Sequence, residues 1–121
     1  MKLPNVEKAV IDIAKIRDYC LNPDHAEGKH KARVFSAKLG ISSNDAEELR
    51  QQILERVLSA DAIERNPISY GRRFTVDVQI VWAQKFVLSS AVVRTGWIIK
   101  NDEDFPRLTT CYILKGVGED G

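Results

Sequence analysis

Hydrophobic residues along this chain repeat with one period up to about Pro67 and with a different one after it. Before that point Ala46, Leu49, Ile53, Val57 and Ala60 recur at three- and four-residue spacing, with Glu47, Glu48, Gln51, Gln52, Glu55 and Arg56 on the opposite face. That spacing predicts an amphipathic helix, and Asn44 with Glu47 three positions on predicts its N-cap. A shorter helix is expected from about Ala14 to Leu21, stopped by Asn22-Pro23, because the residue before proline is driven out of helical geometry. Another is expected from Lys29 to Leu39, burying Ala32, Phe35 and Leu39 and ending on Gly40 as a left-handed C-cap. After Pro67 the period is two. Phe74, Val76, Val78, Ile80 and Trp82 alternate with polar residues, as a half-buried strand requires. A second strand carries Val93, Thr95, Trp97 and Ile99, with a turn or bulge near Ser89-Ser90, and a third runs from Arg107 to Leu114 after the acidic turn Asn101 to Asp104. Helices followed by an antiparallel meander predict an α+β fold, with N-terminal helices packed on a C-terminal antiparallel β-meander. A length of 121 residues with 44% hydrophobic content suits one core and hence one domain over 1–121. Its helical part is expected over about 12–62, its sheet over about 70–114, and a frayed tail over 116–121.

Charge then narrows the function classes. The formal net charge is only +1, so the strongly basic footprint of a nucleic-acid coat protein is absent. Locally the balance breaks. Lys29, Lys31, Arg33 and Lys38 face Glu27 alone between His25 and Lys38, an excess of +3, whereas Asp45 to Glu64 carries an excess of −4. Arg72, Arg73, Arg94 and Arg107 form a further basic set among the expected strands. The longest apolar run, Phe86 to Val93, is interrupted by Ser89 and Ser90 and falls far short of the ~20 residues of a membrane helix. Met1 to Val10 lacks the apolar stretch of a secretory signal, so a cytoplasmic location with no membrane partner is expected. Cys20 and Cys111, isolated in sequence, read as buried structural thiols.

No Walker loop, GxGxxG, HExxH, GxSxG or CxxC pair is present, which removes the usual parts for nucleotide hydrolysis, dinucleotide redox chemistry, zinc proteolysis and α/β-hydrolase chemistry. No cofactor or metal site is expected. The stretch from Asn22 to Ala32 remains. A histidine in a glycine-containing loop, followed by cations on the first turn of a helix, sets a proton-transfer group beside positive charge and free backbone N–H donors, the surroundings a phosphodiester needs. Cations on a first turn oppose the helix dipole at a cost of up to roughly 1 kcal/mol, so a bound anion would explain them. The blander alternative makes His25 an exposed loop residue and Lys29, His30, Lys31 and Arg33 a solvated face.

The motif Asn22-Pro23-x-His25-x-x-Gly28-x-x-Lys31-Ala32-x-x-Phe35, with Tyr70-Gly71, Val93-Arg94-Thr95-x-Trp97-Ile98 and Pro106-Arg107-Leu108-x-Thr110-x-Tyr112, resembles an uncharacterised bacterial domain family. Its members occur as small stand-alone proteins and as modules of phage or toxin-like proteins. More distantly, the order of helices, meander and a last strand ending in Thr-x-Tyr is similar to the barnase, EndoU, colicin and RelE group of ribonuclease toxins. That likeness implies a small, metal-independent endoribonuclease of a toxin–antitoxin pair, in which RNA supplies its own 2′-hydroxyl nucleophile. It implies His25 as general base or acid, and Lys31 and Arg94 as stabilisers of the pentacoordinate phosphate. Thr110 or Tyr112 would orient the scissile phosphate or a neighbouring ribose, and Gly28, Lys29, Arg33, Arg72 and Arg107 would bind the strand. RNA and a cognate antitoxin would be the partners. Each residue also has an ordinary reading: Arg94 pairing with Asp77 across the sheet, Thr110 and Tyr112 as β-formers, Trp82 and Trp97 as core. Two other classes compete. One is an antitoxin or immunity-type protein that covers a basic partner with its acidic helix. The other is an assembly module, such as a homodimer, pairing through the edge strand Arg107 to Leu114.

Overall fold

The Asp12 carboxylate accepts the Ala14 N–H at 3.0 Å and opens α1 (Ile13–Lys15) in the computed structural model, which describes residues 1–114. The expected tail over 116–121 lies outside the described residues. Beyond Lys15 the helix widens into a turn over Ile16–Cys20, where the Leu21 N–H reaches back five residues to the Ile16 carbonyl at 2.8 Å. Such wide turns are rare and recur at functional sites; this one buries both Ile16 and Cys20. The second helix, α2 (Lys29–Leu39), runs as expected, with Ala32, Phe35 and Leu39 buried. Gly40 ends it at φ 70°, its N–H returning to the Ser36 carbonyl and the Ile41 N–H to that of Phe35, so the last carbonyls are satisfied.

The third helix, α3 (Ala46–Val57), buries Ala46, Leu49, Ile53 and Val57. Its start departs from expectation. A 3-10 turn over Ser43–Asp45 precedes it, and the capping box is Ser42 with Asp45, not Asn44 with Glu47. The sequence offers both boxes, two residues apart. Choosing Ser42 places Ile41 and Ala46, buried on either side of the turn, in the staple positions of the box, a gain that Asn44 could not supply.

The sheet has four strands in the order β1-β2-β3-β4, all antiparallel: β1 (Ala62–Ile68), β2 (Gly71–Gln84), β3 (Val87–Lys100) and β4 (Arg107–Ile113). Its inner face (Phe74, Val76, Val78, Ile80, Trp82, Val93, Trp97, Leu108, Cys111 and Ile113) closes one core with the helices. The buried Thr95 hydroxyl donates to the Val76 carbonyl and accepts the Trp97 indole N–H, each at 2.7 Å, which satisfies the polar atoms this core encloses. The sheet starts earlier than the change of period at Pro67 indicated. In β1 only Ala62 is buried, so no alternation marks it, and Pro67 sits where the register slips between Arg65 and Ile68 on an outer strand. The β2–β3 turn is at Lys85 (φ 54°) and Phe86, and β3 runs through Ser89-Ser90 without a break. The irregularity lies instead in β4: Gly96 faces Thr110 while Trp97 faces Leu108, leaving Thr109 as an unpaired bulge residue. The bulge shifts parity so that Leu108 and Cys111 both point inward.

The outer edge of β4 is occupied. The Leu108 N–H donates to the Val10 carbonyl at 3.0 Å, the Val10 N–H to that of Pro106 at 2.9 Å, and the Cys111 N–H to the Cys20 sulfur at 3.3 Å. Edge-to-edge pairing through Arg107 to Leu114 would have to displace these bonds. Among the described residues no helix is long and apolar enough to cross a membrane.

Candidate functional site

The loop between the wide turn and α2 is folded against the backbone of Tyr19. A side chain at Gly28 would place its Cβ 2.1 Å from the Tyr19 carbonyl oxygen, so glycine alone allows this approach. The Asn22 side chain accepts the Asp24 N–H at 2.9 Å, which starts the turn. His25 then closes it: its Nδ1 accepts the N–H of Glu27 and that of Gly28, both at 3.0 Å, while its carbonyl accepts the Lys29 N–H at 3.0 Å. An imidazole nitrogen that accepts two hydrogen bonds carries no proton. These contacts therefore assign His25 the neutral form with hydrogen on Nε2.

From His25 a line of polar and aromatic side chains crosses the edge of β4. The His25 and Tyr19 rings meet edge to face at 4.9 Å. The Lys31 ammonium donates to the Tyr19 hydroxyl at 2.8 Å and lies 4.8 Å from the Tyr19 ring centre and 5.9 Å from that of Tyr112. Burial opposes the charge on Lys31, but the hydrogen bond to Tyr19 and the fields of Tyr19, Cys20 and Tyr112 outweigh it, so its pKa is raised. Lys31 is thus a cation anchored on Tyr19. Opposite Tyr112 on β3 stands Arg94, whose guanidinium holds Asp77 through two bonds of 2.8 and 3.0 Å. The hydrogen bond with Asp77 raises its pKa against a burial penalty, with smaller help from Tyr112.

Beneath this line the two cysteines, remote in sequence, come together. Cys20 accepts the Cys111 N–H, and its sulfur lies 4.0 Å from the Thr110 hydroxyl. Hydrogen bonding from the Cys111 thiol, opposed by burial and aided by the Cys111 N–H, Thr110 and Lys31, pulls the Cys20 thiol down to about 7. The same bond and burial push Cys111 up.

His25, Lys31, Thr110 and Tyr112 are thereby gathered at one edge, with Arg94 behind them. The remaining strand-binding candidates lie elsewhere. Arg72 holds Glu64 through two bonds of 2.9 Å, and Arg107 holds Glu103 at 2.8 and 2.7 Å. Lys29 and Arg33 line a separate hollow of about 430 Å³ on another flank of α2, with Leu21 and Pro23. Two residues that sequence reasoning missed belong to the site: Tyr19, which joins His25 to Lys31, and Thr109, the bulge residue, which lines a hollow of about 510 Å³ with Tyr19 and His25. Among the described residues no group of three or more His, Cys, Asp or Glu side chains could hold a metal ion.

The family model of a domain of unknown function, DUF6883, matches residues 2–115. The chain belongs to the DUF6883 family. No curated protein and no solved structure matches it. The DUF6883 match takes in both the Asn22–Ala32 motif and the β4 motif. In this family member the two motifs, remote in sequence, meet where Lys31 faces Tyr112.

Proposed function

We propose that this domain is a small endoribonuclease of toxin–antitoxin type, cleaving RNA at the edge of β4 by attack of the 2′-hydroxyl. The observation that carries the reading is the position of Lys31. Its ammonium is anchored at 2.8 Å on Tyr19, faces Tyr112, and is brought there by the loop motif on one side and the Thr-x-Tyr strand on the other. A cation held in place in a partly desolvated site stabilises charge that develops during reaction far better than a mobile one in water.

In the proposed step the 2′-oxygen bonds to phosphorus and the P–O5′ bond breaks. The proton lost by the 2′-hydroxyl is balanced by the one gained by the 5′-oxygen, and a 2′,3′-cyclic phosphate and a 5′-hydroxyl result. Lys31 faces the charge on the pentacoordinate phosphorus, the Thr110 and Tyr112 hydroxyls orient it, and Arg94 supports Tyr112 from the sheet. His25 contributes its Nε2–H as a neutral donor, since its Nδ1 is committed to the loop, and protons move through water. Lys29 and Arg33 extend the positive field along α2 for the strand that leaves the site.

The reading as a protein partner acting through its acidic helix has less support. Glu47 is engaged by Arg50 and Gln51, and Glu64 lies on β1, paired with Arg72. An antitoxin remains the expected neutralising partner.

The test is incubation of purified protein with cellular RNA, mapping of cleavage positions, and repetition on a synthetic RNA bearing one 2′-deoxy nucleotide at a mapped position. Cyclic phosphate ends, a block at the deoxy position, and a loss of about 10²-fold or more in Lys31→Met support the proposal. Intact RNA, or cleavage that ignores the missing hydroxyl, overturns it.

A further inference from the structure

The outward face of the sheet carries a pair of arginines that nothing in the cleavage proposal uses. The register of β1 on β2 sets Arg65 directly opposite Arg73. Like charges facing each other across strands repel, and such a pair is normally relieved by a carboxylate. Here each guanidinium is oriented by a neutral acceptor through its Nε: Arg65 by the Thr75 hydroxyl, Arg73 by the Asn66 carbonyl at 2.9 Å. Among the described residues neither has a carboxylate partner, whereas the other sheet arginines, Arg72, Arg94 and Arg107, each hold one.

Beside the pair lies a hollow of about 360 Å³, lined by Arg65, Arg73, Thr75, Gly96, Thr109 and Thr110. Thr75, Gly96 and Thr110 are consecutive partners across β2, β3 and β4, so the hollow sits where the middle strand has no side chain. A Cβ at Gly96 would stand 3.0 Å from the Thr109 hydroxyl and 3.2 Å from a Thr110 methyl, tight enough to crowd both. Two unneutralised guanidiniums lining one hollow with Thr75 and Thr109 make a surface for a tetrahedral oxyanion, because the planar forks donate in pairs and the hydroxyls adapt. Thr109 lines both this hollow and the one beside His25 and Tyr19, so the two adjoin across the β4 bulge.

We infer that Arg65 and Arg73, with Thr75 and Thr109, form a second anion site that takes a backbone phosphate of a polynucleotide whose neighbouring phosphate lies at the β4 edge. The identity of the ligand rests on the proposed function, whereas the anion site rests on the arginine pair alone.

The experiment measures binding of an all-2′-deoxy oligonucleotide, which the proposed reaction cannot cleave, across a salt series. The proteins are wild type, Arg65→Gln, Arg73→Gln, the double variant, and Arg56→Gln on α3 as a control for net charge, with folding checked by circular dichroism. Inorganic phosphate is titrated in parallel by NMR. The salt slope is expected to fall by about one for each sheet arginine removed and to hold in Arg56→Gln. A folded double variant with the wild-type slope, together with no phosphate shifts at Arg65 and Arg73 in the wild type, overturns the site, even if RNA cleavage is observed. Conversely, if RNA stays intact while the arginine variants lower the slope, the site stands and the nuclease reading falls. Phosphate shifts at Arg65 and Arg73 without any change in oligonucleotide binding would mark a free-anion site and overturn the polynucleotide assignment.

Discussion

His25 holds two backbone N–H groups on the nitrogen that would have to be protonated for it to become an imidazolium. His25 thus closes the loop through Nδ1, and in the proposed reaction it would present a donor at Nε2. Two substitutions separate these parts. An asparagine oxygen can take over the Nδ1 bonds, whereas glutamine keeps a donor further out and leaves the amides unmet. His25→Gln is expected to lose about 1–3 kcal/mol in denaturant unfolding, for two hydrogen bonds of ordinary worth, and His25→Asn clearly less. Cleavage is expected to fall about 10²-fold in His25→Asn, which lacks the donor. Equal destabilisation in the two variants would remove the loop-closing role. The Cys20–Cys111 pair gives a pH signature. The Cys20 thiol is depressed from 9.0 to about 7, so its contribution to stability is complete above the unfolded value and is lost as pH falls through about 7. Cys111, pushed up, acts in the opposite sense above the unfolded value. Stability measured by denaturant midpoint should therefore climb between about pH 7 and 9 and turn over beyond it. Cys20→Ser, whose hydroxyl can still accept the Cys111 N–H, should abolish the climb; an unchanged profile would refute the coupling.

At the scale of elements, the loop against the wide turn and the helix against the strand edge are the two joints that place the site. Gly28→Ala forces a Cβ onto the Tyr19 carbonyl and should cost roughly 1–3 kcal/mol, with cleavage falling further than stability because Tyr19 carries Lys31. Gln52 on α3 mimics a neighbouring strand for the open stretch of β2: its amide nitrogen donates to the Val81 carbonyl at 2.8 Å and its oxygen accepts the Val81 N–H. Gln52→Leu should cost about 1–3 kcal/mol by leaving those groups unmet and should increase aggregation through the exposed edge, read by unfolding and light scattering. What was legible in sequence follows the same division. Helix α2 with its Gly40 cap, and the alternation of β2, are set by local periodicity and were readable. Strand β1 shows the core only Ala62, and the β2–β3 turn uses Lys85 and Phe86 without glycine or asparagine, so neither left a local sign. Tyr19 joined the site through a turn whose width no spacing rule marks. The facing of Arg65 and Arg73 depends on register, which is fixed by partners elsewhere in the chain. The motif residues His25, Lys31, Thr110 and Tyr112 were readable as candidates, but their convergence needed the fold.

Across the whole molecule, helices and inner sheet face share one core, and the candidate site lies at the rim where β4, the wide turn and α2 meet. Outward from that rim the sheet face carries the unneutralised arginines, and the long β2–β3 hairpin ends in exposed Phe86, Val87 and Leu88, away from the polar line. On the proposed function, an RNA strand would lie from the α2 cations over the β4 edge and onto the sheet without disturbing the core. The most direct test is induced expression in bacteria of wild type and Lys31→Met, following growth and total RNA over the first generations, with both proteins checked for folding by circular dichroism. Growth arrest with discrete RNA fragments in wild type, and normal growth with intact RNA in the folded variant, is the expected result. Normal growth and intact RNA with soluble wild-type protein, or equal cleavage by the variant, would contradict a nuclease centred on Lys31.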